Sequence, residues 1–398
     1  MDGCEIMRWS LYVGAFFMIL LLAGGGYGWV KYKASKKQQE LNDEAARCKQ
    51  WIVLNQHDKA QEGLVRLLNE NPKMRDADVL LTELAGSYES TSSTEKAVQC
   101  WQAICDRFPE SGHVPKALSA LADHALAKED FAKAKENWDQ ILAKYDQSDV
   151  VDDAKFGLAQ LDYKESGDRM KMRQTLWSLL EAYPTSDKRP KIEALLGDIN
   201  ISLLFSPQEV EGNDEFQLHV IKKGDALDSL RKAYKVSPEL LMRVNGIRNP
   251  KMLSIGKQLV IPQTDFSIEV DKVSLTLLLQ NRGKFFKRYA IRMPREELRV
   301  PGGTYSIERK VENPSWTGPD RTYPAGDPGN VLGTRLMSLK GSNASIHGTN
   351  DPSTIGQYAS VGYIGMTNQD VEELYDLAPK GAKVEIKGKI KKDDKAKK

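Results

Sequence analysis

The spacing of apolar residues changes character several times along these 398 residues. The first run, Trp9 to Val30, carries no charged residue. As a helix it would be about 33 Å long, enough for a hydrocarbon core of roughly 30 Å. Trp9 and Tyr12 flank one end and Tyr27 and Trp29 the other, where interfacial aromatics sit. The pattern predicts one membrane-spanning anchor. A cleaved signal peptide is the competing reading, with Leu11 to Ala23 as its apolar core and the small residues Ala23 to Gly26 behind it.

From about Glu40 to Phe205 the apolar period is helical, and the pattern repeats. Ala60, Ala97 and Ala134 recur at a fixed interval, as do Leu64, Trp101 and Trp138, and Leu67, Ile104 and Ile141. Each unit closes near an aromatic or a proline: Asn71-Pro72, Phe108-Pro109, Tyr145 and Tyr183-Pro184. Ser111, Ser148 and Ser186 follow at a constant offset. Small residues let paired helices approach, large ones fill the groove between units, and proline stops the second helix. This period in the mid-thirties resembles tetratricopeptide repeats. The resemblance implies an all-α solenoid, acting as a spacer or as a docking surface for a protein partner that the sequence does not name. Trp101 and Trp138 are assigned to core packing.

A polar linker, 206–216, precedes a second change of pattern. Leu218 and Val220 alternate with polar residues and predict a strand. Asp225 is placed as the cap of a helix carrying Leu227, Leu230 and Tyr234. Ser237-Pro238 opens a second helix and Asn245-Gly246 closes it. Leu259 and Ile261 alternate again. This βααβ order resembles the LysM family over 217–263, which binds N-acetylglucosamine-containing glycans, chiefly peptidoglycan or chitin. The resemblance implies a groove formed by Gly224, Asp225, Ala226 and Leu227 with Leu253, Ser254, Ile255 and Gly256. Ala226 stands where the family usually has threonine, which removes one hydroxyl.

From Phe266 onward short alternating stretches and turns such as Gln280-Asn281-Arg282-Gly283 predict a mostly-β domain over 264–388. Its chemistry centres on Ile346-His347-Gly348-Thr349, Ile355-Gly356 and Ser360-Val361-Gly362-Tyr363-Ile364-Gly365-Met366. Asn330 to Arg335 and Asn368-Gln369-Asp370 complete the pattern, which resembles the YkuD-type L,D-transpeptidase family. In that family a cysteine thiolate attacks the amide between diaminopimelate and D-alanine in a peptidoglycan stem peptide. A histidine activates the thiol, backbone amides hold the oxyanion, and a second stem's amine completes a 3→3 crosslink. The family motif ends Ser-x-Gly-Cys-Ile-Arg-Met. Here Tyr363 holds the cysteine position and Gly365 the arginine position, while His347, Ser360 and Gly362 remain. A phenol is the poorer nucleophile, with a pKa of about 10 against about 8.5 for a thiol. The four cysteines end at Cys105, so none can substitute. The degenerate site His347, Ser360, Gly362, Tyr363 and Gly365 is therefore expected to be inactive.

Charge adds little. Lys plus Arg total 57 against 55 Asp plus Glu, a near-neutral balance that does not suggest a nucleic-acid binder. No metal-ligand spacing is present, and no cofactor is expected. The lysine-rich tail 389–398 reads as solvated. Lys31, Lys33, Lys36 and Lys37 behind the apolar run would hold that side in the cytoplasm. The wall-directed motifs point outward, and they decide the expectation: a bacterial inner-membrane protein with a short 1–8 tail, a 9–30 anchor, repeats over 31–205, and its bulk in the wall space. The function expected is peptidoglycan binding with a scaffolding or regulatory role in wall assembly. Two alternatives stand beside it: an active L,D-transpeptidase or L,D-carboxypeptidase with a non-cysteine nucleophile, and a protein-assembly hub built on the repeats.

Overall fold

The computed structural model describes residues 32–207, 210–251, 253–295, 299–359 and 362–388. The chain divides into two compact units, up to Leu161 and from Asp162 onward. The first is helical. Helix α1 runs through residues 32–53, followed by α2 (His57–Glu70), α3 (Ala77–Ser90), α4 (Thr94–Arg107), α5 (Val114–Ala127), α6 (Phe131–Lys144) and α7 (Val151–Ser166). The repeated positions are its core: Ala60, Ala97, Ala134, Leu64, Trp101, Trp138, Leu67, Ile104 and Ile141 are all buried. Repeated turns have a repeated cause. The carbonyls of Phe108 and Tyr145 accept from the N–H groups of Ser111 and Ser148, three residues on. Gly157 is a close-approach position, since a Cβ there would lie 2.3 Å from the Trp138 ring.

One element of the expected architecture is corrected. Among the described residues, no helix is long and apolar enough to cross a membrane. The physical reason is plain in each long helix: α1 carries Lys33, Lys36, Lys37, Glu40, Asp43 and Glu44, and the other described helices are shorter or amphipathic. The segment 9–30 lies outside the described residues.

The second unit opens with a helical hairpin, α8 (Arg169–Ala182) and α9 (Arg189–Phe205). The LysM-like segment follows: β1 (Phe216–Val220), α10 (Leu227–Tyr234), α11 (Pro238–Val244) and β2 (Gln258–Pro262), with β1 and β2 antiparallel. Pairing sets the faces of β1, and one local reading, the cap of α10, changes. His219 pairs with Leu259 and Gln217 with Ile261, so these positions share the inner face with Ile221. Leu218 and Val220 therefore point outward, at 36% and 46% exposure, because a one-residue shift turns a strand over. The cap of α10 is Ala226, whose N–H donates to Ser229 Oγ; Asp225 sits one residue too early and instead accepts from the Lys222 N–H.

The remaining strands are β3 (Phe266–Asp271), β4 (Thr276–Asn281), β5 (Lys284–Ala290), β6 (Met293–Pro294), β7 (Gly303–Glu312), β8 (Trp316–Thr317), β9 (Thr322–Tyr323), β10 (Arg335–Leu339), β11 (Ser345–His347), β12 (Tyr358–Ala359), β13 (Ile364–Gly365) and β14 (Lys383–Lys387), with α12 (Asn368–Leu377) between the last two. Eight form one sheet in the order β13-β11-β10-β7-β14-β3-β4-β5. The last strand, β14, is inserted between β7 and β3, so the sheet closes only when the end of the domain arrives. Inward positions such as Ile268, Val270, Leu277, Leu279, Met337, Ile346 and Val384 form the core.

Two seams join this domain to its neighbours. At the first, Leu240 of α11 is buried in the core of the large sheet's domain. Around it Arg243 pairs with Asp376 at 2.9 Å and Lys310 with Glu239 at 3.0 Å, and Ser237 Oγ donates to the Asp376 carbonyl. At the second, α9 lies along β5. The β4–β5 register skips Phe286, and the Asn200 amide donates to the freed Phe286 carbonyl at 2.9 Å. Arg288 reaches Glu193 at 2.6 Å beside it.

Candidate active site and glycan groove

The parallel pairing of β11 with β13 sets His347 directly beside Gly365. The imidazole is fully buried. Its Nδ1 lies 2.6 Å from the Gly348 carbonyl, which accepts only if Nδ1 carries the proton. Nε2 is then the acceptor, and it takes the backbone N–H of Tyr363 at 3.0 Å. The His347 carbonyl accepts from Met366 N–H as well. Burial pushes the imidazole down to about 4; the Gly348 bond opposes that shift and the charge of Arg292 adds to it. His347 is therefore neutral at pH 7, and its one lone pair is already engaged by the chain.

Gly362 makes that contact possible. Its φ is +87°, and a Cβ there would lie 2.9 Å from His347 Nε2. Tyr363 is half-buried and packs against the domain core. Gly365 is buried, and the strand-like segment carrying Arg292 pairs with it in both directions, Arg292 N–H to Gly365 O at 2.8 Å and the return bond at 3.0 Å. Ser360 lies outside the described residues. Of the five site positions read from the sequence, the structure thus brings His347, Gly362, Tyr363 and Gly365 together.

The flanking motifs explain themselves around one amide. Asn368 Oδ1, at the start of α12, accepts from Thr334 N–H at 3.1 Å. A Cβ on Gly333 or Gly348 would fall 2.1 or 2.3 Å from that oxygen. The Asn-x-x-Gly-Thr, His-Gly-Thr and Asn-Gln-Asp pieces are therefore three sides of one packed junction. Asn330 holds the loop before it, donating to the carbonyls of Pro314, Tyr323 and Pro324.

In the glycan groove, Ile221 ties the two expected loops together. Its carbonyl accepts from Gly256 N–H and its N–H donates to Lys257 O, each at 2.9 Å. Gly224 and Gly256 both have positive φ. Gly224, Ala226, Ser254, Ile255 and Gly256 are exposed, Ile255 at 69%. Leu227 is buried in the small core, and Leu253 packs against it. These two build the fold more than they face a ligand. Asp225 is held by Lys222 N–H and by His219 Nε2 at 2.8 Å, contacts that keep its carboxyl below the usual range.

The L,D-transpeptidase catalytic domain of the YkuD family matches residues 265–386, and the LysM domain matches 219–262. YkuD of Bacillus licheniformis is 29% identical over 175 residues, 42% of this chain and 98% of that protein. YkuD of Bacillus subtilis is 30% identical over 177 residues, 42% of this chain and 96% of that protein. The chain belongs to the YkuD L,D-transpeptidase family. A solved L,D-transpeptidase from Mycobacterium smegmatis is 14% identical with a TM-score of 0.26, covering 34% of this chain; the chain spans 65% of that one. The LysM domain marks the protein as one that binds peptidoglycan.

Against the family motif, the structure reveals a residue that sequence reasoning missed. Arg292 is 5% exposed and sits between the buried Ile291 and Met293. A Cβ on Gly365 would lie 2.3 Å from its Nε and 2.6 Å from its Cγ. An arginine side chain therefore lies over the position at which the family carries its own arginine. The only advance signal was a cation placed between two apolar residues.

Proposed function

We propose that this family member holds peptidoglycan without remodelling it. In this reading the LysM domain grips the glycan, the degenerate cleft receives a stem peptide, and the chain serves as a scaffold or regulator of wall assembly on the outer side of the cytoplasmic membrane. One observation carries the loss of catalysis. The base-like His347 spends its Nε2 lone pair on the Tyr363 backbone N–H, and the side chain at the nucleophile position is a phenol. A neutral imidazole titrating at about 4 takes no proton from a phenol at pH 7. The helical repeats are the part we assign to a protein partner, which would meet their polar surface because Trp101 and Trp138 are consumed in the core.

The test is muropeptide mass spectrometry after the full chain has been incubated with tetrapeptide-rich peptidoglycan. The reading expects co-sedimentation with the wall and an unchanged muropeptide profile. New 3→3 crosslinks, or tripeptides from D-alanine loss, would overturn the inactive half. Failure to co-sediment would overturn the binding half.

A further inference from the structure

Arg292 is a buried cation that the described residues leave under-satisfied. Its guanidinium has five N–H donors. Among the described residues it makes one hydrogen bond, from Nη2 to the Val331 carbonyl at a long 3.4 Å. Its Nε is buried without a partner. Asp351 opposes the shift caused by burial through its charge. Burying a charge with so little compensation is costly, and it persists where something else completes it.

Its position says what that is. The stem of the side chain crosses Gly365, and Nη2 would lie 3.2 Å from a Cβ on Gly362, the residue whose other neighbour is His347 Nε2. The guanidinium and the imidazole thus close on the backbone just before Tyr363. That is where the family's scissile amide would lie, between diaminopimelate and D-alanine. The nearest carboxylate of a bound stem is the terminal one of that same D-alanine, whose nitrogen belongs to the amide. A planar fork of donors suits a carboxylate better than any neutral group.

We propose that Arg292 anchors the terminal carboxylate of a stem tetrapeptide in this cleft. The guanidinium at the site is relocated from position 365 to position 292, and it serves retention of the peptide. This inference rests on the reading of a cleft that still receives stem peptide. It involves no bond making or breaking.

The experiment is calorimetric titration of the full chain with two sugar-free probes: the stem tetrapeptide ending in D-alanine, and the same peptide amidated at its C-terminus. Lacking sugar, neither probe engages the LysM groove. The expected result is binding of the acid, weakened about tenfold or more by amidation and by Arg292→Gln, with partial recovery in Arg292→Lys. The amide comparison uses the unaltered protein, so it stands even if a variant folds poorly, and co-sedimentation with peptidoglycan checks that each variant retains its LysM domain. Equal affinity for acid and amide would overturn the anchor while leaving the cleft as a peptide site. No binding of either probe would overturn the peptide-receiving cleft itself, and the anchor with it.

Discussion

Gly365→Ala is the sharpest probe of the relocated arginine. Gly365 has no positive φ, so alanine meets no backbone strain there, and any penalty is steric. The added methyl would stand 2.3 Å from Nε, 2.6 Å from Cγ and 2.9 Å from Cδ of Arg292. These are mid-chain atoms, and they cannot swing away as a free end would. Nor can the backbone retreat, because Arg292 and Gly365 exchange two hydrogen bonds at 2.8 and 3.0 Å. Overpacking of this kind costs about 1–3 kcal/mol. In the Arg292→Ala background the obstacle is gone, and the same substitution should cost well under about 1 kcal/mol. The difference is a coupling energy of the size that touching residues show. Amide hydrogen exchange across 345–347 and 364–366 reads it locally in the full chain. Exchange should quicken roughly five- to 150-fold in Gly365→Ala alone. Equal acceleration in both backgrounds would refute the placement of the arginine over this glycine.

Three further outcomes are expected. The buried His347 stays neutral to about 4 while the unfolded imidazole protonates at 6.5, so unfolding takes up a proton between those values. Stability should therefore be intact above about 6.5 and fall as pH drops toward 4, by roughly 2 kcal/mol at about pH 5; His347→Gln should flatten that slope in pH-dependent hydrogen exchange, and an unchanged slope would sink the assignment. Asn200→Ala leaves the Phe286 carbonyl without its buried donor and should destabilise the second unit by about 1–3 kcal/mol in denaturant-dependent exchange of β5 amides. Ile255→Asp, at an exposed loop tip, should weaken co-sedimentation with peptidoglycan while leaving the melting profile alone, and undiminished binding would remove that loop from the groove.

Much of the architecture was legible because repetition amplifies weak signals. Ala60, Ala97 and Ala134 carry little information singly, but their fixed interval marks one packed helical layer, and all three are buried. The His-Gly-Thr and Tyr-Ile-Gly pieces were legible as one site, and adjacent strands do join them. Reading failed where a single residue tips the balance. The alternation of Leu218 and Val220 marked the strand β1 but not its facing, since His219 takes the inner face and the two apolar side chains point outward. Asp225 looked like a cap because it precedes a helix, yet a carboxylate one position early finds a loop N–H instead. Arg292 was invisible because its meaning depends on Gly365, a partner far along the chain that one isolated bridge brings alongside. No local pattern encodes that meeting. The apolar run at 9–30 lies outside the described residues, and the described helices contain no span.

The covering of β5 bears on where this chain can be divided. β5 ends the eight-stranded sheet, and an open strand edge recruits other chains. Here α9 occupies that side through Asn200, Glu193 and Asp198, with Gly197 close against the Lys287 stem. The hairpin that sequence reading counts as the last repeat is thus a cover for the sheet domain, and the polar linker after it is not a natural point of separation. A fragment begun at that linker would keep both recognisable modules and lose the guard on their outermost strand. As a portable part, suited to fusion or recombination, the second unit begins ahead of α8, after α7 ends at Ser166.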